Sequence, residues 1–240
     1  MRPRVVAIVQ ARLGSARLPG KGLKPVAGKP MILHVLQRAA AVLELDEVVL
    51  ATSVAERDTL LASVVTAAGF RVFRGPEHDV LGRFVGAAGR ADADVIVRLT
   101  GDCPLLAPDV TDRVVRAYLG GPAAFVSNDV RVSGYPDGTD TEVFSRVTLE
   151  VAARAALDGQ DREHVTSWMH RHLQSAVVAC ETGRYGHLKW SVDCADDLAY
   201  VRALFGCLPA SGPAGWTFAA TLEADRQLRT RAGGMLCGRS

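Results

Sequence analysis

Short apolar runs alternate with longer amphipathic stretches through the first half of the chain. Runs rich in β-branched and other apolar residues occur at 5–9, 47–53, 70–75, 94–102 and 123–128. Patterns typical of helices lie between them, at 30–43, 56–69 and 80–90, and again after Pro108. Strands that alternate with helices are typical of βαβ units, so the pattern predicts an α/β fold with a mostly parallel sheet.

The pattern changes after Asn128. The elements predicted beyond it are a polar, turn-rich segment, two helices and two strands, at 132–145, 146–157, 162–173, 176–181 and 188–193. We expect a single domain over residues 1–240. Within it, residues 131–187 are expected to leave the sheet and either cover an active site or form a dimer contact.

Composition narrows the class of protein. The 240 residues are 48% hydrophobic and 22% charged, which is ordinary for a globular protein. A formal net charge of +2 is too small to favour nucleic acid or an anionic membrane as a partner. The five cysteines lie far apart and form no CxxC pair, so we expect neither a disulfide framework nor a zinc site. The apolar run near the N-terminus is too short for a signal peptide, and we expect a soluble cytoplasmic protein.

The loop after the first apolar run carries three cations and several glycines. It reads QARLGSARLPGKGL. The glycine spacing in GSARLPG is one residue too long for a Walker A loop, which also needs Ser or Thr after the lysine. A dinucleotide fingerprint would run directly into a helix and would not contain this proline. The interpretation that is left is a loop that binds a triphosphate through Arg12, Arg17 and Lys21.

Two aspartates follow apolar runs that are predicted to be strands. Asp102 comes after IVRLTG, and Asp193 comes after LKWSV. Ligands bind at the carboxyl edge of open α/β sheets, and Mg²⁺ commonly binds through one or two carboxylates together with substrate phosphates. Asp is also a favoured helix cap. Residue type alone therefore leaves two interpretations for each aspartate, a metal ligand or the cap of the next helix.

Four further side chains are weaker candidates. Cys103 has no partner base in the sequence, so we expect it to pack in the core. His170 and His172 are two positions apart on a predicted helix and face different sides, which favours solvent or packing over a metal site. Trp190 is expected in the core.

Six segments resemble one enzyme family, in the family's order. They are QARLGSARLPGKGLKPVAGKPMILHVLQRA, VFRGPEHDVLGRF, IVRLTGDCPLL, PDGTDTEVF, REHVT and LKWSVDCADDL. This family is the sugar-activating cytidylyltransferases, specifically the spore-coat polysaccharide group, which is related to CMP-deoxy-octulosonate and CMP-sialate synthetases. The similarity extends over nearly the whole chain. One departure is Ala16, where relatives commonly carry Thr.

The resemblance implies an enzyme that transfers CMP from CTP to a sugar or sugar-acid acceptor and releases pyrophosphate. It implies a Rossmann-like three-layer nucleotidyltransferase fold, a mostly parallel sheet, Mg²⁺ as cofactor and a homodimer. Asp102 and Asp193 would hold the metal. Together with Arg12 and Lys21 they would be the catalytic residues.

The resemblance also implies two sets of substrate contacts. The nucleotide ligands would be Ala11, Arg12, Gly14, Ser15, Arg17, Lys21, Arg74, Asp79 and Asp102. The acceptor ligands would be Asp137, Asp140, Glu142, Arg162, Glu163, His164 and Lys189. Turn formation is the alternative role for the three acidic residues of PDGTDTE.

Two alternative functions stay open at this point. The acceptor could be a phosphate or a phosphonate, which cations such as Arg162 and Lys189 near the acceptor would favour. The chain could instead bind CTP without transferring CMP. The presence of both Asp102 and Asp193 argues against that second alternative.

Overall fold

The computed structural model describes residues 2–209 and 212–236. These residues form one large sheet with helices on both faces, and a separate two-stranded ribbon. The strands are β1 (Val5–Gln10), β2 (Pro25–Val26), β3 (Lys29–Pro30), β4 (Glu47–Ser53), β5 (Arg71–Gly75), β6 (Val95–Thr100), β7 (Phe125–Ser127), β8 (Glu142–Ser145) and β9 (Ser175–Val177). The helices are α1 (Met31–Ala39), α2 (Thr59–Ala67), α3 (Val80–Arg90), α4 (Pro108–Gly120), α5 (Val130–Ser133), α6 (Arg146–Ala155), α7 (Gly159–Glu163), α8 (Ser167–His172), α9 (Ala195–Phe205) and α10 (Phe218–Leu236).

The large sheet has the strand order β5-β4-β1-β6-β8-β7-β9. β1 pairs in parallel with β4 and β6, and β4 pairs in parallel with β5. β8 runs antiparallel to its neighbours β6 and β7, and β9 is parallel to β7. The mostly parallel α/β sheet predicted from the sequence is therefore confirmed, with β8 as its antiparallel member.

Helices cover both faces of the sheet. On one face, Val5, Ala7 and Val9 of β1 pack in a core with α1, α2 and α4. On the other face, Val6 and Ile8 pack in a core with α3, α6 and α8. The alternation of side chains along β1 thus produces a three-layer arrangement. None of the helices within 2–209 and 212–236 has both the length and the apolar character needed to cross a membrane.

The section 131–187 differs from its prediction. It does not leave the sheet, because β8 and β9 lie within it and pair with other strands. The single helix predicted at 162–173 is instead two short helices, α7 and α8, with Val165 between them at a φ of 45°. A β-branched residue is strained in this left-handed conformation, and such strain is concentrated at functional sites.

The sequence pattern predicted a strand at 188–193. In the structure this run is not a strand of the large sheet. Its one ladder contact among the described residues is an isolated bridge between Lys189 and Asp137. The physical reason is that β8 already occupies the free side of β6. The segment still reaches the end of β6, where Val192 N donates to the carbonyl oxygen of Asp102 at 2.8 Å.

A third core cluster anchors this segment to the C-terminal helices. Trp190 is fully buried and packs in a cluster with residues of α9 and α10. Its Nε1 donates to Asp225 Oδ1 at 2.9 Å. Cys103 is also buried. The predictions that Trp190 and Cys103 are packing residues are therefore confirmed.

Candidate active site

A pocket of about 450 Å³ lies where β1 and β6 end. The loops that follow these two strands, the start of α3 and the end of α7 form its wall. Ten residues selected from the sequence line it, namely Ala11, Arg12, Gly14, Ser15, Arg17, Lys21, Asp102, Glu163, His164 and Asp193. A larger pocket of about 620 Å³ lies at the amino ends of β4 and β5 and contains none of these ten residues. The candidate chemistry is thus gathered at the carboxyl edge of parallel strands, where α/β sheets bind ligands.

The shape of the loop after β1 brings Lys21 into the pocket. Gly20 N donates to the carbonyl oxygen of Leu13 at 3.0 Å and closes the loop. Gly20 has a φ of 69°, a left-handed conformation that glycine adopts without steric cost. A 3₁₀ turn begins directly afterwards, at Lys21.

The loop after β6 approaches the end of β1 closely because residue 101 is glycine. Gly101 N donates to the carbonyl oxygen of Gln10 at 2.8 Å. A Cβ atom on Gly101 would lie 2.7 Å from the Cβ of Ala11, closer than two carbon atoms pack. Asp102 is thereby placed in the pocket beside the residues of the first loop.

Lys21 lies between the two aspartates selected from the sequence. Its Nζ donates to Asp102 Oδ2 at 2.9 Å and lies 3.5 Å from Asp193 Oδ1. It also donates to the carbonyl oxygen of Val192 at 2.8 Å. Burial raises the pKa of Asp102, but the Lys21 ammonium and a hydrogen bond from Thr100 outweigh burial and hold this pKa below its ordinary value. Asp102 is therefore an anion at neutral pH and shares one cation with Asp193.

Neither of these aspartates caps a helix. The N-cap residue of α4 is Ala107, and that of α9 is Cys194. Asp197 instead caps the start of α9, since its Oδ2 accepts from the backbone N–H groups of Asp193 and Cys194 at 2.8 and 3.0 Å. The helix-cap alternative is therefore wrong for both Asp102 and Asp193.

Two more cations surround Asp193. Arg17 Nη2 lies 2.9 Å from Asp193 Oδ1, and Lys189 Nζ lies 3.1 Å from Asp193 Oδ2. Lys189 also donates to Asp197 at 2.7 Å. The side chain of Arg17 is 70% exposed, so a ligand can displace it from Asp193 at little cost.

Arg12 connects the first loop to the end of α7. Its Nη2 donates to Glu163 Oε1 at 2.7 Å. His164, the next residue, also lines the pocket, and the strained Val165 follows it. The segment REHVT therefore contributes Glu163 and His164 to the pocket wall, next to a cation from the loop after β1.

Arg162 and Asp79 form a pair that does not line the pocket. Arg162 Nε and Nη2 donate to the two oxygens of Asp79 at 2.9 and 2.5 Å. Asp79 Oδ1 also accepts from Gly82 N at 2.8 Å and so caps the start of α3. Because both side chains are used in joining α3 to α7, the structure brings them together but not to the pocket.

Arg74 also lies outside the pocket wall. Its Nε donates to the carbonyl oxygen of Ser53 at 3.0 Å, and its Nη2 donates to that of Ala55 at 3.0 Å and to Thr59 Oγ1 at 3.2 Å. Arg74 therefore fixes the segment between β4 and α2.

Glu142 is held in a buried network. It pairs with Arg98, and it accepts from His170 Nε2 at 2.9 Å and from Thr166 Oγ1 at 3.0 Å. Burial raises the pKa of Glu142, but Arg98 and His170 lower it more, to about 2. Arg98 Nε also donates to Gln10 Oε1 at 3.1 Å, and Gln10 lines the pocket. Glu142 thus connects His170 of α8 to Arg98, and Arg98 in turn contacts the pocket residue Gln10.

Asp137 and Asp140 lie together next to Lys189. Asp140 Oδ2 accepts from Gly138 N at 2.9 Å, and the backbone of Asp137 forms an isolated parallel β-bridge with that of Lys189. Burial raises the pKa of both carboxyl groups, that of Asp140 to about 6. Burial and the carboxylates of Asp102 and Asp140 likewise raise the pKa of the Cys103 thiol. An acidic cluster therefore extends from Asp102 towards Asp137.

We expect Asp140→Asn to stabilise the protein above pH 6. The folded pKa of about 6 lies above the ordinary value of 3.8, so the Asp140 carboxyl contributes stability below pH 3.8 and loses it as the pH rises through 6. Asn can still accept from Gly138 N but carries no buried charge. The gain at pH 8 should be at most about 3 kcal/mol, at roughly 1.4 kcal/mol for each pKa unit.

Urea unfolding of Asp140→Asn and of the natural protein at pH 4 and pH 8 measures this effect. The exposed Asp196, changed to Asn, serves as the matched control. Equal unfolding free energies of the Asp140 variant and the natural protein at pH 8 would show that the carboxylate is not destabilised by burial.

Seven residues that line the pocket were not selected from the sequence, and Arg83 is the charged residue among them. Arg83 of α3 lines the pocket and is only 2% exposed. It lies one helical turn after Asp79, on the apolar face of α3. A cation on a buried helix face was the signal that could have identified it, because charged residues are seldom fully buried without a partner.

The surroundings of Lys21 fit a divalent cation. Asp102 and Asp193 direct carboxylate oxygens to one place, which the Lys21 ammonium occupies, and Val192 adds a carbonyl oxygen. Within 2–209 and 212–236, no three His, Cys, Asp or Glu side chains form a complete metal cluster. Two carboxylates suit Mg²⁺, which commonly takes its other ligands from substrate phosphates and water.

The chain is similar in sequence to known proteins over most of its length. The family model described as cytidylyltransferase matches residues 6–194. The spore coat polysaccharide biosynthesis protein SpsF of Bacillus subtilis (strain 168) is 34% identical over 213 residues, which cover 84% of this chain and 86% of that protein. The 3-deoxy-manno-octulosonate cytidylyltransferase of Pelobacter propionicus is 36% identical over 121 residues, which cover 50% of this chain and 46% of that protein.

The fold is also similar to solved structures. A cytidylyltransferase from Leptospira borgpetersenii serovar Hardjo-bovis superposes with a TM-score of 0.87, at 24% identity, over 97% of this chain and 96% of that one. The three-layer nucleotidyltransferase fold that the sequence segments implied is therefore confirmed.

Proposed function

The chain belongs to the cytidylyltransferase family, and we propose that it transfers CMP from CTP to a hydroxyl oxygen of a sugar or sugar acid, with release of pyrophosphate. Family membership sets the reaction class, nucleotidyl transfer. The name of the octulosonate relative supports a sugar acid as the acceptor.

The observation that supports this reaction most is the meeting of Lys21 with Asp102 and Asp193. These residues are far apart in sequence, yet both carboxylates lie within 3.5 Å of one ammonium nitrogen. A triphosphate and a divalent cation need this combination of charges in one place, because one needs fixed cations and the other needs oxygen ligands.

In the proposed reaction, the acceptor oxygen attacks the α-phosphorus of CTP. A bond forms between that oxygen and the phosphorus, and the bond to the oxygen that bridges the α- and β-phosphates breaks. Arg12, Arg17 and Lys21 would hold the phosphate oxygens and stabilise the charge that moves to pyrophosphate. Such transfers depend mainly on positioning and charge, so no covalent enzyme intermediate is needed.

Asp102 and Asp193 are the residues that would hold Mg²⁺. When bound, this cation supplies charge neutralisation at the phosphates. Asp193 would be freed for this task when Arg17 and Lys21 turn to the triphosphate. Both of these cations contact Asp193 in the structure, so nucleotide binding requires an exchange of ion-pair partners.

The acceptor contacts proposed here are Glu163 and His164 in the pocket wall, with Asp137, Asp140 and Lys189 beside it. A hydroxyl acceptor is favoured over a phosphate or phosphonate because the two cations on that side are already paired with carboxylates. Arg162 forms an ion pair with Asp79, and Lys189 forms ion pairs with Asp193 and Asp197. Neither cation is left to neutralise a second phosphate.

Pyrophosphate release from CTP and Mg²⁺ across a panel of acceptors tests this function. The panel contains sugar acids, neutral sugars, sugar phosphates and phosphonates. We expect release with CTP and a sugar or sugar acid, and no release with CTP alone. Release only with a phosphate or phosphonate would favour the alternative acceptor class. Tight CTP binding with no release for any acceptor would favour a protein that binds CTP without transferring CMP.

We also propose Mg²⁺ as the natural cation, a homodimer, and a location in the cytoplasm. Exposed apolar side chains on and after α6, at Val147, Val151 and Leu157, support a contact with a second copy. The cysteines within the described residues are free thiols, which supports a reducing compartment.

A further inference from the structure

The turn between α7 and α8 is strained and carries two residues of the pocket wall. Val165 lies in this turn at a φ of 45°, a conformation that is unfavourable for a β-branched residue. Thr166 N donates to the carbonyl oxygen of His164 across the turn. Val165 and Thr166 are buried, and the two residues before them, Glu163 and His164, line the pocket. The position of both pocket residues therefore depends on what holds the turn in its strained shape.

Glu142 of β8 holds the buried side of this turn. Thr166 Oγ1 donates to its carboxylate, at 3.1 Å from Oε1 and 3.0 Å from Oε2, and also lies 3.4 Å from the carbonyl oxygen of His164. Threonine at the N-cap of a helix usually accepts a hydrogen bond from the helix backbone. Thr166 is the N-cap residue of α8, but its side chain makes no such bond to that helix as described. Its hydroxyl instead ties the turn to the central sheet.

The same carboxylate is connected to the end of β1. Glu142 forms an ion pair with Arg98 of β6, and it accepts from His170 Nε2 at 2.9 Å. Arg98 Nε donates to Gln10 Oε1 at 3.1 Å, and Gln10 is the last residue of β1 and lines the pocket. One carboxylate therefore joins the turn after α7 to the strand end from which the cation-rich loop begins.

Glu142 is placed to act on a substrate through other residues. The sequence resemblance put it among the acceptor ligands, but Glu142 and Thr166 lie behind the pocket wall and not in it. The Glu142 side chain is only 13% exposed, and both of its oxygens already have side-chain partners. The residues of this segment that a substrate can touch are Glu163 and His164.

Resting on the proposed function, we propose that the hydrogen bond from Thr166 to Glu142 positions the two pocket residues of this turn for the acceptor. Glu142 and Thr166 are then positioning residues of the transfer reaction. Without the bond, the strained turn would relax and move both pocket residues, and a shift of about 1 Å is enough to slow an oriented transfer strongly. The proposed triphosphate contacts come from the loops after β1 and β6, so CTP binding should change less than the use of the acceptor.

Thr166→Val and Thr166→Ser test this proposal by steady-state kinetics. Valine keeps the shape of the side chain without the hydroxyl, and serine keeps the hydroxyl. The acceptor is the member of the panel above that the natural protein uses fastest, varied at saturating CTP. We expect Thr166→Val to lower kcat/KM for it by about tenfold or more, and Thr166→Ser to recover most of this loss. The Kd of CTP should stay within about threefold of its natural value in both variants.

Glu142→Asp tests whether the hydroxyl acts through Glu142 or through the nearby carbonyl oxygen of His164. Aspartate keeps the charge that faces Arg98 but withdraws the carboxylate by one methylene group. We expect Glu142→Asp to reproduce the loss seen in Thr166→Val, and the double variant to lose less than about threefold more. Losses that multiply fully in the double variant would contradict the assignment of Glu142 as the partner.

Hydrogen exchange in the free protein gives a second measurement, which needs no acceptor. The backbone amides of residues 163–168 should exchange about tenfold faster in Thr166→Val than in the natural protein, and at nearly the natural rate in Thr166→Ser. Thr221→Val is the matched control, since Thr221 is a buried threonine of α10 whose hydroxyl donates to the carbonyl oxygen of Thr217 at 3.1 Å. It should change neither the kinetics nor the exchange of the turn.

Three results in a folded Thr166→Val protein, checked by its thermal melt, would overturn the proposal. They are an unchanged kcat/KM for the acceptor, equal losses in acceptor use and CTP affinity, and unchanged exchange at the turn. A Thr166→Ser protein as impaired as Thr166→Val would also overturn it. If the natural protein forms no conjugate with any acceptor of the panel, the proposed function fails, and the exchange rates still decide whether this bond holds the turn.

Discussion

Asp193→Asn should lower kcat by about a thousandfold, the size of effect seen when one preorganised electrostatic element is lost. The substitution keeps the shape of the side chain and removes its charge. The Asp193 carboxylate faces Lys21 and Arg17 within 3.5 Å and lies at the position proposed for the divalent cation. Its charge serves the transition state more than bound CTP, so kcat should change more than the Kd of CTP measured without metal.

The folded state of Asp193→Asn should be retained. Asp193 caps no helix, and its side chain is partly exposed, so its thermal melt should match that of the natural protein within a few degrees. Asp196→Asn changes an exposed aspartate three positions later, in the first turn of α9, and should leave kcat unchanged. The decisive measurement is kcat across a Mg²⁺ titration. A near-normal kcat at ordinary Mg²⁺ would contradict the assignment of Asp193 to the metal.

Lys21→Ala should raise the KM for CTP and also lower kcat, with a combined loss in kcat/KM of about tenfold to a hundredfold. This loss corresponds to a charge-assisted contact with phosphate of roughly 1.5 to 3 kcal/mol. The Lys21 ammonium is directed into the pocket by the turn at Gly20 and is mostly buried there. It therefore lies in the pocket already, and it meets a triphosphate by exchanging its contact with Asp193 for one with phosphate.

The control for Lys21 is a second lysine from the same segment. Lys29 is exposed, does not line the pocket, and donates to Gln37 at 3.3 Å. Lys29→Ala should leave kcat/KM unchanged, whereas both variants lose one positive charge. Steady-state kinetics with CTP as the varied substrate separate the two. Equal kinetics for Lys21→Ala and the natural protein would remove Lys21 from the site.

The sequence predicted the layout of the first half of the molecule because its elements follow local rules. The apolar β-branched runs that became β1 and β6 are buried on both faces, and the amphipathic runs between strands became the helices that cover them. Asp102 could be located in advance because it lies two residues after the end of β6. The loop after β1 could be recognised by its own residues, Arg12, Arg17 and Lys21.

The parts of the fold and of the site that were not predicted depend on contacts between distant residues, which the spacing of residues along the sequence does not reveal. The sequence predicted a strand at 188–193, but β8 is the strand beside β6, and a hydrogen bond from Val192 N to the carbonyl oxygen of Asp102 brings the segment to the end of β6 instead. Arg162 and Asp79 are 83 positions apart, and only the packing of α7 against α3 makes them partners. Arg83 is one arginine among many in the sequence, and only the packing of α3 buries it in the pocket wall.

The measurement that tests the central claim most directly follows the two ends of the triphosphate during one reaction. The protein is incubated with Mg²⁺ and a sugar-acid acceptor, once with CTP labelled at the α-phosphorus and once with CTP labelled at the γ-phosphorus. Transfer of CMP predicts that the α-label appears in a conjugate with the acceptor and that the γ-label appears in pyrophosphate. Asp193→Asn should reduce both products together. A γ-label released as inorganic phosphate, with the α-label left in CDP, would show hydrolysis of CTP and would contradict the proposed transfer.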